Sequence, residues 1–419
     1  MKYLATVVLT IGLFLISPFS ANLLANGLNN PPIGAAYLGR GGGNYVFGED
    51  GGAMSYNPAN LSDLDQASFN ASLTLGISDV EFTGPDGRTG KTKDNEKVLP
   101  NLFAVYPLTD KGLTLGLGIS TPHGQSTVWD VNGPFAGAFP HEAEMLTLNF
   151  NPTLAGKVNE KLSYGVGVDI FWSELSFDQL FPWSVVTGVP GTPPGLAEAK
   201  GDGTGVGANI GLLYQLDDRQ RVGLTYRSSV KVDYKGDFDL SGIPAPLGGL
   251  VAPGSDFSSE IEFPHRIGAG YGIQLNDKLR VGADLEWVQY SAYDSLPIDL
   301  GVNNAAGLFP SSIPQNWDDI VNWFFGGEYK LDDSHTLRAG YSFLETPIPD
   351  STLAPTIPDA DRHVLSVGVG LTLEKVQLDF GYAYSIFDDI DIGGSVNPAA
   401  VGSYDLESHL LEFTLNYTF

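Results

Sequence analysis

The chain has no cysteine, so disulfides, dithiol redox chemistry and thiolate metal sites are excluded, and the fold must rest on packing and hydrogen bonds. Charge is sparse and one-sided: 22 Lys and Arg stand against 49 Asp and Glu in 419 residues, a net charge of -27. A phosphate backbone needs a basic footprint, and this balance argues against nucleic acid as a partner. Past the N-terminus there is no uninterrupted apolar run of the ~20 residues that a membrane-crossing helix needs. What the chain does have is 52 Gly and 27 Pro, residues that interrupt helices and build turns. One large all-β unit fits these constraints.

Met1-Lys2, the apolar stretch from Leu4 to Ile16, Ser17-Pro18 and the small residue Ala25 have the layout of a secretory signal peptide. Residues 1–25 are therefore expected to be removed, with cleavage after Ala25. The apolar core is too short for an anchor helix.

Beyond it, short polar turns alternate with long Gly- and Pro-rich loops. The turns are Thr109-Asp110-Lys111, Asn159-Glu160-Lys161, Asp217-Asp218-Arg219, Asn276-Asp277-Lys278, Asp332-Asp333-Ser334 and Glu374-Lys375. Their flanks alternate strictly. In 162–173 one face carries Leu162, Tyr164, Val166, Val168, Ile170 and Trp172, and the other Ser163, Gly165, Gly167, Asp169, Phe171 and Ser173. In 221–233, Val222, Leu224, Tyr226, Val230 and Val232 oppose Arg221, Gly223, Thr225, Arg227, Ser229, Lys231 and Asp233. A sandwich core does not accept the second set, but a watery lumen does. Fourteen such staves run from 67–80 to 407–419, among them 113–121, 203–216, 221–238, 258–275 and 279–296. The reading is an all-β, 14-stranded antiparallel transmembrane barrel over 67–419, with short turns at the periplasmic end and long loops outside. The last stave ends in Leu415, Tyr417 and Phe419, which resembles the assembly signal read by the barrel assembly machinery.

Residues 26–66 do not alternate and are Gly-rich, yet Tyr37, Leu38, Tyr45, Val46, Phe47, Met54 and Leu61 make them too apolar for a typical disordered tail. A barrel of this width is open unless filled, so this segment is expected as a plug, the alternative being a periplasmic tail. Two loops are unusually apolar: Phe181, Trp183, Val185, Val186, Val189 and Leu196 in one, Ile243, Leu247, Leu250 and Val251 in the next. Either they capture an apolar ligand or they bury one another in a small loop core.

Leu38-Gly39-Arg40 followed by Asn57-Pro58-Ala59, together with Leu224 to Ser228, Val230 to Gly236 and Ile357 to Arg362, resembles the FadL-type outer-membrane transporters of long-chain fatty acids and other hydrophobic compounds. The likeness spans the mature chain. It implies a hatch built around Gly39, Arg40, Asn57, Pro58 and Ala59, capture at outer loops, a pocket beside the plug, and passive lateral release beside the tripeptide where the third stave kinks. Pro122 lacks a ladder donor and Gly124 permits a bend, so this pair marks either that kink or the start of an external loop. The family's fatty-acid carriers place basic side chains on the fifth and tenth staves, but Phe171 to Glu174 and Asn316 to Asn322 contain none. Arg227, Lys231 and Arg338 point inward by alternation. They serve either as carboxylate partners or in wall ion pairs with Asp169, Asp233 and Asp379. A neutral aromatic or aliphatic hydrocarbon is the alternative cargo.

No Gly-x-Ser-x-Gly elbow or other nucleophile constellation is apparent, so a lipase-type enzyme is a rival only in outline, as is a surface adhesin. The Gly39 to Gly52 stretch lacks the ending of a phosphate loop. His141, Glu142 and Glu144, and Asp388, Asp389 and Asp391, are read as solvated loop residues, and no cofactor or metal is expected. The expected partners are hydrophobic small molecules and outer-membrane lipid, around a monomer.

Overall fold

In a computed structural model, which describes residues 26–108 and 112–419, fourteen antiparallel strands close into one barrel. They are β1 (Ser68–Thr83), β2 (Glu96–Leu108), β3 (Leu113–Val128), β4 (Glu142–Lys157), β5 (Leu162–Phe181), β6 (Gly195–Gln215) and β7 (Gln220–Arg227 continuing as Val230–Leu240). Then follow β8 (Gly254–Phe263 continuing as Arg266–Gln274), β9 (Leu279–Val288), β10 (Ile320–Lys330), β11 (His335–Leu344), β12 (Arg362–Leu373), β13 (Val376–Phe387) and β14 (Gly402–Thr418). The circuit closes because β1 pairs with β14 from Ser68 opposite Thr418 to Thr83 opposite Ser403. Neither margin of the sheet is left open to lipid. The expected signal segment and the turn Thr109-Asp110-Lys111 lie outside the described residues.

The tight turns have a local cause. Asn159 Oδ1 accepts the backbone N–H groups of Lys161 and Leu162, each at 2.9 Å. Asp217, Asn276 and Asp332 repeat the arrangement in their own turns. A short carboxylate or amide thus replaces a backbone acceptor and reverses the chain within a few residues.

Alternation holds along the staves, but the polarity it carries inverts partway up. Near the short turns, β5 turns Val166, Val168, Ile170 and Trp172 outward and Gly167, Asp169 and Ser173 inward. Toward the long loops, the inward side becomes Phe171, Leu175 and Phe181. β6 likewise exposes Ile210 and Leu212 in one half, and Glu198, Lys200 and Asp202 in the other. The outer face must be apolar only where it meets hydrocarbon. Above that belt it meets water, and the apolar side chains turn in to pack beneath the loops. The polar inward face read from the sequence therefore holds in the half nearer the short turns, and gives way to a largely apolar one toward the loops. The same inversion hid stave ends from the sequence: β6 begins at Gly195 and β14 at Gly402. Conversely, β9 stops at Val288, where Tyr290–Ala292 forms a 3-10 turn.

In β7 and β8 the phase itself shifts. Arg227 and Val230 are both inward, as are Phe263 and Arg266, because Ser228-Ser229 and Pro264-His265 interrupt adjacent staves at one level. Val230 and Val232, expected to face lipid, are 2% and 0% exposed. Lys231 and Asp233, expected inside, point to solvent, and Lys231 Nζ lies 2.6 Å from Glu260. A slip of one position exchanges the two faces of a strand.

The leading residues 26–66 form a helix, α1 (Ala35–Arg40), and two 3-10 turns, Gly51–Ser55 and Pro58–Asp63. Their backbone lies against inward glycines of the wall: Gly39 on Gly368, Gly41 on Gly340, Gly43 on Gly282, and Pro58 on Gly165. A Cβ at Gly368 would sit 3.0 Å from the Gly39 Cα, and one at Gly282 2.5 Å from the Gly43 Cα. Only hydrogen at those wall positions permits so close an approach.

Candidate functional site

Arg40, at the end of α1, is 1% exposed. Its guanidinium donates to Asn44 Oδ1 at 2.9 Å and to the Phe47 carbonyl at 2.7 Å, which ties the turn after the helix. It also reaches Glu328 of β10 at 3.6 Å. Glu328 in turn meets Arg280 at 2.9 Å and Arg338 at 3.2 Å, while Arg338 donates to Asp379 at 2.6 Å and Arg280 pairs with Glu49. Three arginines and three acids thus join the leading segment to β9, β10, β11 and β13. Burial alone would raise the Glu49 carboxyl, but Arg280, Arg40 and Arg338 hold it down to about 2. Among the described residues, no such cation pairs with Asp50 beside it. Burial pushes its carboxyl up to about 6, against the opposing hydrogen bonds from Tyr37 Oη and the Gly52 N–H.

Asn57, fully buried, makes three bonds at once. Its Oδ1 accepts the Ala59 N–H at 3.0 Å, and its Nδ2 donates to the carbonyls of Tyr45 at 2.8 Å and Leu212 of β6 at 3.1 Å. Gly211 and Gly223 leave the space it occupies. The tripeptide is thus keyed to β5, β6 and β7.

The wall breaks elsewhere. β2 and β3 pair only from Leu108 opposite Leu113 up to Leu102 opposite Ile119. Above that, the β3–β4 register shifts between Ser120 and His123, and the Thr121 N–H turns to the Asn101 side chain at 2.9 Å. The free edge of β3 is taken by the leading residues: the Asn30 N–H donates to the Pro122 carbonyl at 3.0 Å, and the Gly124 N–H to the Leu28 carbonyl at 3.3 Å. Pro122 and Gly124 are therefore part of a strand running past a ladder break. Their hydrogen-bonded neighbours are residues 28–30, while Asn57 of the tripeptide bonds Leu212 of β6.

Two cavities meet at this leading strand. The outer, about 680 Å³, is walled by apolar groups such as Phe177, Phe238, Phe257, Leu296 and Trp317, with Leu28 at its floor. The inner, about 150 Å³, lies among Asn26, Asn29, Asn30, Pro122, Tyr45 and Tyr56. Tyr290 fixes the partition, donating to the Asn26 carbonyl at 2.7 Å and accepting the Leu28 N–H at 3.1 Å. Among its polar lining the inner cavity has an apolar patch, formed by Leu38, Leu344, Val364 and Leu410. These belong to the same hydrophobic cluster as Leu99 of β2 and Leu146 of β4, the staves that flank β3. Apolar surface thus runs from the cavity to the break.

The loop residues divide. Phe181, Trp183 and Val251 are buried in the external core, and Ile243 and Leu247 pack partly against it. Phe181 and Val186 line the outer cavity. Val185 and Leu250 stand 76% and 70% exposed, and Leu196 is half-buried. Among the cations, Arg227 pairs with Asp169, Arg338 belongs to the Glu328 network, and Lys231 is outside the barrel. Sequence reasoning passed over Arg266 and Arg362, which line the inner cavity. The alternation of Arg266 with Gly268, Gly270 and Gly272 was the available signal.

The family described as "Outer membrane protein transport protein (OMPP1/FadL/TodX)" matches residues 16–419. A "Long-chain fatty acid transport protein" of Escherichia coli O6:H1 is 25% identical over 432 residues, covering 96% of this chain and 94% of that protein. The crystal structure of a Pseudomonas aeruginosa FadL homologue superposes with a TM-score of 0.82 at 23% identity, over 94% of this chain and 100% of the other. That of the Ralstonia pickettii toluene transporter TbuX gives 0.71 at 20% identity, over 92% and 98%.

Proposed function

The chain belongs to the outer membrane protein transport protein family (OMPP1/FadL/TodX), and from that premise we propose that it takes up hydrophobic molecules passively across the outer membrane, long-chain fatty acids or related lipids among them. The outer cavity captures the molecule from the loops, and the inner cavity receives its leading end beside the hatch formed by residues 26–66. Release is sideways into the membrane through the break between β2 and β3. No step requires a cofactor or a catalytic group. We take the chain to act as a monomer, inserted by the barrel assembly machinery through the aromatic end of β14.

The observation that carries this reading is the continuous apolar surface of Leu38, Val364, Leu410, Leu99 and Leu146 between the inner cavity and the broken β2–β3 ladder. A second reading, neutral monoaromatic or aliphatic hydrocarbons by the same route, is favoured by the inner cavity's size, since about 150 Å³ holds one benzene ring.

The test uses the chain's lack of cysteine. Asn101→Cys with Thr121→Cys places one thiol on each side of the break. Cells lacking other uptake routes are given labelled oleate or labelled toluene. Uptake is expected to follow expression of the protein, to stop on oxidation of the pair and to return on reduction. Undiminished uptake through the cross-linked barrel would eliminate lateral release.

A further inference from the structure

Three arginines line the inner cavity, and two already have partners. Arg227 pairs with Asp169 and donates to the Met54 carbonyl at 3.2 Å, and Arg362 lies 3.6 Å from Asp359. Arg266 stands beside Arg227 in the β7–β8 ladder. Among the described residues, no hydrogen-bond acceptor or carboxylate reaches its guanidinium within bonding or ion-pair distance. Two acids share this wall, and donors of the leading segment occupy both: Asp284 accepts the Asn44 N–H at 2.6 Å, and Glu286 accepts Tyr45 Oη at 2.7 Å. His123, stacked on Phe263 at 4.5 Å, and Tyr290 complete the surroundings without offering Arg266 an anion. A half-buried guanidinium with five N–H donors thus lines a cavity whose two carboxylates each accept a donor of the leading segment, Asp284 keeping Oδ1 without a partner. Such a cation has lost part of its hydration without gaining a counter-ion. Leu38, Leu344, Val364 and Leu410 line the same cavity, with Ser342, Ser366 and Ser408 beside the last three on the same staves.

We propose that Arg266 is the head-group anchor of the inner cavity, and that the site selects amphipathic monocarboxylates over their uncharged counterparts. This rests on the transport reading above and narrows it. The carboxylate takes paired N–H···O bonds from the planar guanidinium. Its chain then lies along Leu38, Leu344, Val364 and Leu410, toward Leu99 and the break in the wall. Arg266 stands on β8, not on the fifth or tenth stave, where Phe171 to Glu174 and Asn316 to Asn322 carry no basic residue.

The experiment is equilibrium binding of labelled oleate and of labelled methyl oleate to the purified full-length protein in an uncharged detergent, at one pH and low salt. Wild type is compared with Arg266→Gln and Arg266→Lys. Arg266→Gln is expected to weaken oleate about tenfold or more and to leave methyl oleate within about twofold. Arg266→Lys is expected to recover part of the loss, because a point charge replaces half of a bidentate contact. Equal oleate binding by wild type and Arg266→Gln overturns the anchor. So does a parallel fall for acid and ester in a barrel that keeps its folded electrophoretic mobility, which would make Arg266 a packing residue. Wild-type binding of the ester alone also overturns the anchor but spares the transport reading. Binding of neither ligand sinks both.

Discussion

Substituting Gly326 by alanine tests whether the leading segment is seated by backbone contact with the wall. A methyl at this position would overlap the Arg40 carbonyl oxygen and stand 2.8 Å from its carbon, with the Ala339 carbonyl oxygen at 2.9 Å on the other side. Ordinary contact begins near 3.4 Å, so either the stave or the end of α1 must move by more than half an ångström. No rotamer relieves the clash, because every atom involved is main chain. Overpacking of this kind costs about 1–3 kcal/mol, or more where nothing yields. The barrel ladder on both sides of Gly326 is continuous, and the hatch end is expected to give way first. The expected phenotype is a folded barrel, judged by heat-modifiable mobility, with increased single-channel conductance and greater entry of small hydrophilic antibiotics. Gly340→Ala presses on the same carbonyl, so the double variant should cost less than the sum of the two, since one displacement relieves both. Gly393→Ala, with open space around it, is the control. Conductance and permeability of Gly326→Ala matching those of the control would refute the seating argument.

Glu328→Gln removes the acid that Arg40, Arg280 and Arg338 share, and it should lower stability by about 3–5 kcal/mol, read from urea unfolding in lipid vesicles. Lys231→Ala should leave oleate uptake and urea midpoint unchanged, because its ion pair with Glu260 is on the solvent face. Burial pushes the loop residue Asp359 up to about 6, with Arg362 acting against it. A raised carboxyl favours the fold below its ordinary range near 4 and loses that contribution as the pH climbs through 6. Amides around Gly27, whose N–H donates to Asp359 at 3.0 Å, should therefore be better protected at pH 5 than at pH 7.5 after correction for intrinsic exchange. Asp359→Asn should remove that difference. An identical pH response in the variant would show that another group is responsible.

Much of the barrel was legible because its causes are local. A period of two, read in 162–173, needs only the covalent pleat and a lipid on one side. The side chains of Asn159, Asp217, Asn276 and Asp332 close turns within three residues of themselves. The aromatic end at Phe419 and the resemblance of Asn57-Pro58-Ala59 are written in single stretches. Strand ends were misplaced where the same alternation continued into water with its polarity reversed, since no residue announces the height at which hydrocarbon stops. Lys231 and Asp233 were set on the wrong face because the phase slip at Ser228-Ser229 is sustained by a matching slip at Pro264-His265, in a different strand. The partners of Arg227 and Arg338, and the lack of one for Arg266, depend on side chains brought together by closure of the sheet. The sequence determined that alternate residues face lipid and that the chain returns on itself. Only the tertiary structure decided where the wall is broken, what lies against the break and which charges remain unanswered, because each of these is a contact between residues far apart in the chain.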